Sequence, residues 1–210
     1  LNPEDGIFHN LSFNKFWQHS KTNTAELGIN IFYDTVNDVI FNQSTTTNTG
    51  TVTTSLPTDE ITTKGVEFSY SHKNIADSAF SIRYNLSYID AEITQNVLNP
   101  SIIGNEFPRM PKWRSNLITS YHVNEAVDAS INIRYASNSY GRLDNLDTAR
   151  RVFGAQDEYL MLGAKVNWQA NRQTRFSIGV DNITSEQAYV AHPWPQRTFY
   201  LEGKYVFEEK

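Results

Sequence analysis

Nine segments of this 210-residue chain alternate apolar and polar residues one by one. A period of two predicts β-strands whose two faces have opposite character. The connections between the segments are alternately short and long, so we expect tight turns at one end of the sheet and elaborate loops at the other. A transmembrane β-barrel combines these properties, because its periplasmic turns are short and its extracellular loops long. The pattern predicts an all-β, antiparallel transmembrane β-barrel segment.

The fourth segment alternates most clearly, with an apolar row and a polar row, Phe80, Ile82, Tyr84, Leu86 and Tyr88 against Ser81, Arg83, Asn85 and Ser87. The nine predicted strands are approximately 6–17, 25–41, 61–72, 80–88, 112–122, 127–135, 160–168, 174–182 and 197–207. Thr, Asn and Ser dominate residues 43–58, so we expect a long exposed loop there. Further long loops are expected at 95–111, 141–157 and 183–196. No segment repeats with a helical period, so we expect no helix.

A soluble β-sandwich also alternates, but two features favour a membrane. The predicted strands are long enough for the ~9–11 residues that a tilted membrane strand needs, whereas globular strands cluster near ~5–6. Aromatic side chains occupy the apolar face near strand ends, where membrane-interface girdles form; these are Tyr88, Tyr121, Tyr135, Trp168, Phe199 and Phe207. The opposite face carries ionisable residues that we expect to face a lumen, Glu67, Arg83, Asp128, Arg134, Lys165 and Glu202.

The composition of the chain argues against several classes of partner and site. Its 18 basic and 23 acidic residues give a net charge of −5, which argues against a nucleic-acid partner. Cysteine is absent, which excludes disulfides and thiolate metal sites. Mean hydropathy is −0.50, and no apolar run approaches the ~20 residues of a membrane helix. The first residues are polar and lack a signal-peptide pattern, so we expect a mature chain or a fragment of a longer protein.

Two C-terminal stretches, residues 178–189 and 192–207, resemble the end of TonB-dependent outer-membrane receptors. That family has an N-(L/I)-x-(D/N)-x-x-Y segment followed by a P-x-x-R-x-(F/Y)-x-(L/V) segment near the last strand. Residues 25–40 and 107–117 resemble earlier strands of the same receptors. The chain departs from the pattern at Ser185, where Asp or Asn is usual, at Tyr189, which falls one residue late, and at Trp194, which takes the place of the expected Pro.

The resemblance implies that residues 1–210 are the C-terminal part of a barrel of 22 strands, a size known for plugged transporters. It implies that the plug domain and the TonB box lie outside this chain, which would supply barrel wall and substrate-facing loops. The implied activity is active import across the bacterial outer membrane. The implied partners are outer-membrane lipid, the plug, TonB and a small-molecule chelate. A ferric siderophore is the first expectation, and cobalamin, other metal chelates and small organic cofactors remain open.

The long loops contain the candidate substrate contacts. Arg142, Arg150 and Arg151 suit an anionic ligand, because guanidinium groups pair with carboxylate or phosphate. A second set offers flat or aromatic surfaces to a planar ligand, namely Tyr140, Tyr189, His192 and Trp194. Each has a structural alternative: the arginines can be solvated or paired with a neighbouring aspartate, and the tryptophan can simply pack the loop. His192 has no second ligand at metal-binding spacing beside it, so we expect neither a metal nor a cofactor.

The sequence also allows two other classes of function to be weighed, an enzyme and a self-contained barrel. Loop residues such as Asp144, Asp147, Asp157 and His192 could activate water, but neither a Ser-His-Asp order nor a metal constellation is evident, so we expect no enzyme. A self-contained small outer-membrane barrel with a structural, adhesive or rim-hydrolase role would join its first and last strands by hydrogen bonds. A piece of a transporter would leave two open edges, which promote aggregation.

Overall fold

The computed structural model describes residues 2–207, with the backbone alone for residues 43–47 and 51. Its strands are β1 (Asp5–Gln18), β2 (Thr24–Thr47), β3 (Gly50–Lys73), β4 (Phe80–Gln95), β5 (Trp113–His122), β6 (Val127–Ala136), β7 (Tyr159–Gln169), β8 (Thr174–Asp181), β9 (Tyr189–Val190), β10 (His192–Pro193) and β11 (Thr198–Tyr205). Two three-residue 3-10 turns, Ile75–Asp77 and Pro100–Ile102, are the only helical elements between residues 2 and 207. In that range no helix has the length and apolar character needed to span a bilayer.

Nine of these strands form one antiparallel sheet in the order β1-β2-β3-β4-β5-β6-β7-β8-β11. Neighbours in the sheet follow one another along the chain, apart from the small β9–β10 ladder inserted before the last strand. Over the described residues, β1 pairs only with β2 and β11 only with β8. The sheet is therefore a nine-stranded wall with two open edges, as the count of alternating segments predicts.

The strand register separates the residues into an apolar face and a polar face. Directly paired residues share a face, and one apolar row crosses six strands, Leu27, Tyr70, Tyr84, Leu117, Ile133 and Leu162. The adjacent polar row crosses five, Gly28, Ser69, Asn85, Asn116 and Arg134. Leu11 is 71% exposed and Ile178 is 60% exposed, so the apolar face is uncovered rather than packed against a second sheet. This contradicts the sandwich alternative, which requires the apolar rows to be buried.

The connections at one end of the sheet are tight turns held by asparagine side chains. Asn124 accepts the backbone N–H of Ala126 and Val127, both at 2.9 Å. Asn171 accepts those of Gln173 and Thr174, both at 3.0 Å. Such Asx turns replace missing backbone partners over very few residues. We call this the short-turn end and the opposite one, which carries residues 96–112, 137–158 and 182–197, the long-loop end.

The predicted loop over residues 43–58 is wrong. There β2 and β3 stay paired from Val39↔Thr58 to Thr47↔Gly50 and form a hairpin with a two-residue turn. Neither β1 nor β4 runs beside this hairpin. The pairing of β1 with β2 stops at Asn37, and the pairing of β4 with β3 stops at Glu60. We call residues 39–58 the arm. Threonine favours extended backbone, and residues 42–55 contain a single large apolar residue, Val52, so no alternation marks them as strands.

A small apolar cluster fixes the base of the arm at the long-loop end. Ile93, Ile102 and Leu143 are buried together, with Phe41 of the arm and Phe107 packed against them. The Phe41 and Phe107 rings meet edge to face with centroids 5.5 Å apart. These contacts join β4, the arm and the first two long loops into one packed unit.

Two strand boundaries also differ from prediction. β4 continues to Gln95, so Tyr88 lies inside the strand rather than at its end. β11 stops at Tyr205, so Phe207 lies just beyond it. Residues 89–95 of β4 pair with residues 60–65 of β3. In this part of β4 the row of apolar side chains is continued by Asp90, Glu92 and Thr94. The alternation that marks the strand in the sequence therefore ends before the hydrogen-bonded ladder does.

Candidate functional site

The six residues expected to face a lumen all lie on the polar face. Four of them form three ion pairs there, Arg134–Asp181 at 3.4 Å, Lys165–Glu202 at 3.3 Å and Asp128–Arg175 at 3.2 Å. Glu67 accepts a hydrogen bond from Asn30 at 3.1 Å. Arg83 is exposed and has no side-chain partner among residues 2–207. Their role inside a lumen stays a prediction, because it depends on the closure of a full barrel.

The predicted interface aromatics lie on or beside the apolar face in two rows. Tyr88 packs on Trp113, with ring centroids 4.7 Å apart, toward the long-loop end. Trp168 stacks on Phe176 at 5.8 Å near the short-turn end, and the Tyr205 ring meets Phe207 at 4.8 Å beyond it. Within β5, Trp113 and Tyr121 are eight residues apart, or about 27 Å along the strand, comparable with the ~25 Å apolar band of membrane barrels. Their interface role remains a prediction.

Two of the long loops are joined into one layer by backbone hydrogen bonds. Gly154 N–H donates to Ala191 O at 2.8 Å, and Asp157 N–H donates to Tyr189 O at 2.8 Å. The buried Asp157 carboxylate accepts the N–H groups of Arg151 at 3.0 Å and Tyr189 at 2.9 Å. This aspartate, a hypothetical water-activating group, is therefore occupied in holding residues 137–158 to residues 182–197.

The three predicted substrate arginines do not come together. Arg142 lines a cavity and forms an ion pair with Asp144, as its structural alternative predicts. Arg151 takes part in the loop layer through its backbone, and its side chain is exposed. Arg150 is exposed as well. A shared anion grip by these three residues has no geometric support within residues 2–207.

The predicted aromatic contacts also divide into separate groups. Tyr189 and His192 pack edge to face on Phe153, at centroid distances of 5.7 Å and 6.3 Å. Trp194 stacks on Tyr159 at 5.6 Å, so it packs its loop on β7. Tyr140 contributes its carbonyl oxygen, which accepts the Arg109 N–H at 2.7 Å. No cluster of three or more His, Asp or Glu side chains that could hold a metal occurs in the described part of the chain.

A cavity of about 820 Å³ at the long-loop end lies between the arm and the loops. Phe41, Leu56, Ile102 and Leu143 supply its apolar lining. Arg109 adds a charge, with its guanidinium carbon 5.9 Å from the Phe41 ring centroid. Sequence reasoning missed Arg109 and Phe41, because they approach one another only through the packing of the arm on residues 96–112.

A charged network fixes the residues that lead into β5. Lys112 binds Glu106 at 2.8 Å and Asp90 at 3.5 Å, and Lys64 binds the same aspartate at 3.3 Å. The hydrogen bond from Lys112 to the Glu106 carboxylate raises the pKa of the amine above its ordinary value of 10.5, against the opposing effect of desolvation. The lysine is therefore fully charged at neutral pH and joins β3, β4 and the loop before β5.

Residues 1–183 match the family model described as "TonB dependent receptor-like, beta-barrel". No curated protein matches the chain.

Several solved structures share the fold. The siderophore receptor PiuA from Acinetobacter baumannii is 18% identical, with a TM-score of 0.69 over 94% of this chain and 28% of that one. The ferric citrate transporter FecA is 18% identical, with a TM-score of 0.72 over 94% of this chain and 31% of that one. The copper transporter OprC is 14% identical, with a TM-score of 0.71 over 96% and 31%. The chain thus spans about 30% of the length of these structures. It belongs to the TonB-dependent receptor β-barrel family, whose members are transporters of the bacterial outer membrane and not enzymes.

Proposed function

We propose that residues 1–210 form the C-terminal barrel portion of an active importer whose plug domain and TonB box lie outside this chain. The observation that carries the proposal is the open nine-stranded wall, apolar on one face and polar on the other. Single-chain bacterial barrels have an even number of strands and no free edges. The edges of β1 and β11 therefore suit pairing with the other strands of a barrel of 22.

In this proposal each face has its own partner. The apolar face meets outer-membrane lipid. The polar face, with its ion pairs and with Arg83, which has no side-chain partner among residues 2–207, meets the plug or lumenal water. The long loops and the arm contact the substrate, and TonB supplies energy through the plug. A self-contained structural, adhesive or hydrolytic barrel is less well supported, because among residues 2–207 the first and last strands of the sheet do not pair.

For the substrate we propose a ferric siderophore. The names of two matched structures, a siderophore receptor and a ferric citrate transporter, support iron chelates as a class. The copper transporter makes a copper chelate the natural competitor. The aromatic and charged lining of the 820 Å³ cavity suits a bulky chelate better than a bare ion.

The proposal is tested by uptake in cells that carry the complete gene, its deletion or the complemented deletion. Iron-starved cells receive radiolabelled ferric siderophores, ferric citrate, cobalamin or a copper chelate. We expect uptake of at least one ferric chelate that is lost in the deletion and lost again when TonB is removed. Equal uptake in the deletion strain, or uptake independent of TonB, would contradict the import proposal. Uptake of copper alone would contradict the choice of iron.

A further inference from the structure

Arg109 lies where three cavities of the long-loop end meet. It lines the cavity of about 820 Å³ beside the arm and two smaller ones of about 320 and 240 Å³ between the loops. Arg114, on the polar face of β5, also lines the smallest of these and a fourth cavity of about 560 Å³ along the wall. Arg109 therefore lies among the loops, and Arg114 lies between the loops and the polar face of the wall.

Both guanidinium groups are free to bind a ligand. Arg109 and Arg114 are exposed, and neither has an ion pair or a side-chain hydrogen bond within residues 2–207. Arg142 and Arg134, which line the same cavities, are paired with Asp144 and Asp181. The Arg109 backbone is fixed by its 2.7 Å hydrogen bond to Tyr140 O, and its guanidinium lies over the Phe41 ring. It is thus held in place with its forked donors unused.

The carboxylates near this path each accept a hydrogen bond or form an ion pair with another residue. Asp144 binds Arg142, and Asp157 accepts two backbone N–H groups. Asp147 accepts the Gly141 N–H at 2.6 Å, while its other oxygen is buried and without a partner in the described chain. In the wall cavity, Glu67 accepts a hydrogen bond from Asn30. Among the cations that line these cavities, the two without an ion pair within residues 2–207 are therefore Arg109 and Arg114.

We propose that Arg109 and Arg114 form an anion path along the barrel wall, and that the imported chelate is net negative, with a carboxylate-like group for the arginines and an apolar or planar part for the Phe41 cavity. This inference rests on the proposed import function. The first arginine captures the anion beside the aromatic ring, and the second receives it on the polar face. Positive charge in a narrow site raises the local concentration of anions.

A reporter thiol measures the charge of the path without any substrate. The chain contains no cysteine, so S137C places a single thiol from this chain in the cavity that Arg109 and Arg114 share. In the full-length receptor, the thiol is labelled with a sulfonatoethyl (negative) or a trimethylammonioethyl (positive) methanethiosulfonate. T148C, on an exposed part of the 137–158 loop, is the control reporter. The measured quantity is the ratio of the negative to the positive labelling rate.

We expect this ratio to be about fivefold higher at S137C than at T148C. R109Q and R114Q should each lower it by about fivefold, whereas R142Q, at a position that lines the two neighbouring cavities but not the one that contains residue 137, should change it by less than about twofold. Unchanged labelling of T148C in each variant shows that the loops remain folded. A ratio at S137C equal to or below that at T148C, or one that R109Q leaves unchanged, would overturn the anion path.

The substrate class is tested separately in whole cells, with ferric citrate as the anionic chelate and a ferric trishydroxamate as the neutral one. We expect the anionic chelate to be taken up and R109Q to lower its uptake at least tenfold. Uptake of the neutral chelate alone would overturn the inference and leave the import function standing. Labelling with the expected ratio but no TonB-dependent uptake of any chelate would instead remove the proposed function.

Discussion

Gly65 is a residue whose missing side chain the sheet requires. It lies on the polar face of β3, and a Cβ atom added there would come 2.3 Å from the Tyr88 carbonyl oxygen and 2.6 Å from the Phe32 ring. Backbone cannot yield as a flexible side chain does. Gly203 in β11 has its nearest neighbour, a Phe176 ring atom, at 3.6 Å, which is ordinary contact. The two glycines therefore differ in what they tolerate.

Gly65→Ala should lower the free energy of unfolding of the full-length receptor by about 1–3 kcal/mol, because overpacking forces the backbone to shift. Gly203→Ala should stay within about 0.5 kcal/mol of the wild type. Urea unfolding in vesicles, followed by tryptophan fluorescence, measures both. Equal effects of the two substitutions would show that the close approach at Gly65 does not exist.

The alternation of side chains along a strand is enough to assign single residues to one face of the wall, but it does not locate residues in the loops. Arg134 and Lys165 lie on the predicted face because alternation assigns every second residue of a strand to one side. Arg109 gave no such signal, since its neighbour Phe41 reaches it through tertiary packing. The predicted substrate contacts in the loops were chosen by chemical type alone, and of these Arg142 lines two of the four cavities described above.

At the long-loop end, one buried side chain, Asp157, holds two loops together. Asp157→Asn should loosen the layer formed by residues 137–158 and 182–197, because a neutral amide oxygen binds the two N–H groups more weakly than a charged carboxylate does. We expect faster amide exchange at residues 151–157 and 189–191, with the strands unchanged, in hydrogen–deuterium exchange of the full-length receptor. Asp144→Asn, which affects only the exposed contacts of residues 142–146, is the control. Equal protection in both variants would contradict the anchoring role.

The faces of β6 give a paired test of the wall. Ile131 is 50% exposed on the apolar face, and its neighbour Asn132 lies on the polar face, where it donates to Asn116. Ile131→Arg should cost about 2–4 kcal/mol of folding free energy in vesicles, because a charge is placed against lipid. Asn132→Arg should cost less than about 1 kcal/mol, as a polar surface accepts it. Similar costs in urea titrations would mean that the two faces have similar surroundings.

At the scale of elements, the strands inside the expected membrane band were predictable and the arm was not. β4 stands out in the sequence because one of its faces is apolar throughout residues 80–88. The arm has strand-forming threonines but no alternating apolar row beyond Phe41 and Leu56 at its base, so composition suggested a loop. Each strand of the β9–β10 ladder has two residues, too few for apolar and polar residues to alternate visibly. The ladder is held in place by hydrogen bonds to the 137–158 loop.

At the scale of the molecule, the open edges of β1 and β11 determine how the chain behaves alone. Isolated residues 1–210 should refold in detergent into aggregates rather than a monomer, because unpaired strand edges associate. Size-exclusion chromatography and heat-modified gel mobility measure this, with the full-length receptor as the folded control. A monomeric, heat-modifiable and protease-resistant product from the isolated chain would support a self-contained barrel instead.

The central claim is that the apolar face of this wall contacts lipid and the polar face contacts water. It is tested most directly by spin labels placed one at a time at residues 80–88 of β4, in the full-length receptor in vesicles. We expect collision rates with oxygen, which concentrates in lipid, to peak at 80, 82, 84, 86 and 88. Collision rates with a water-soluble nickel complex should be higher at 81, 83, 85 and 87. Low oxygen access at every even position, as in a core between two packed sheets, would contradict the account.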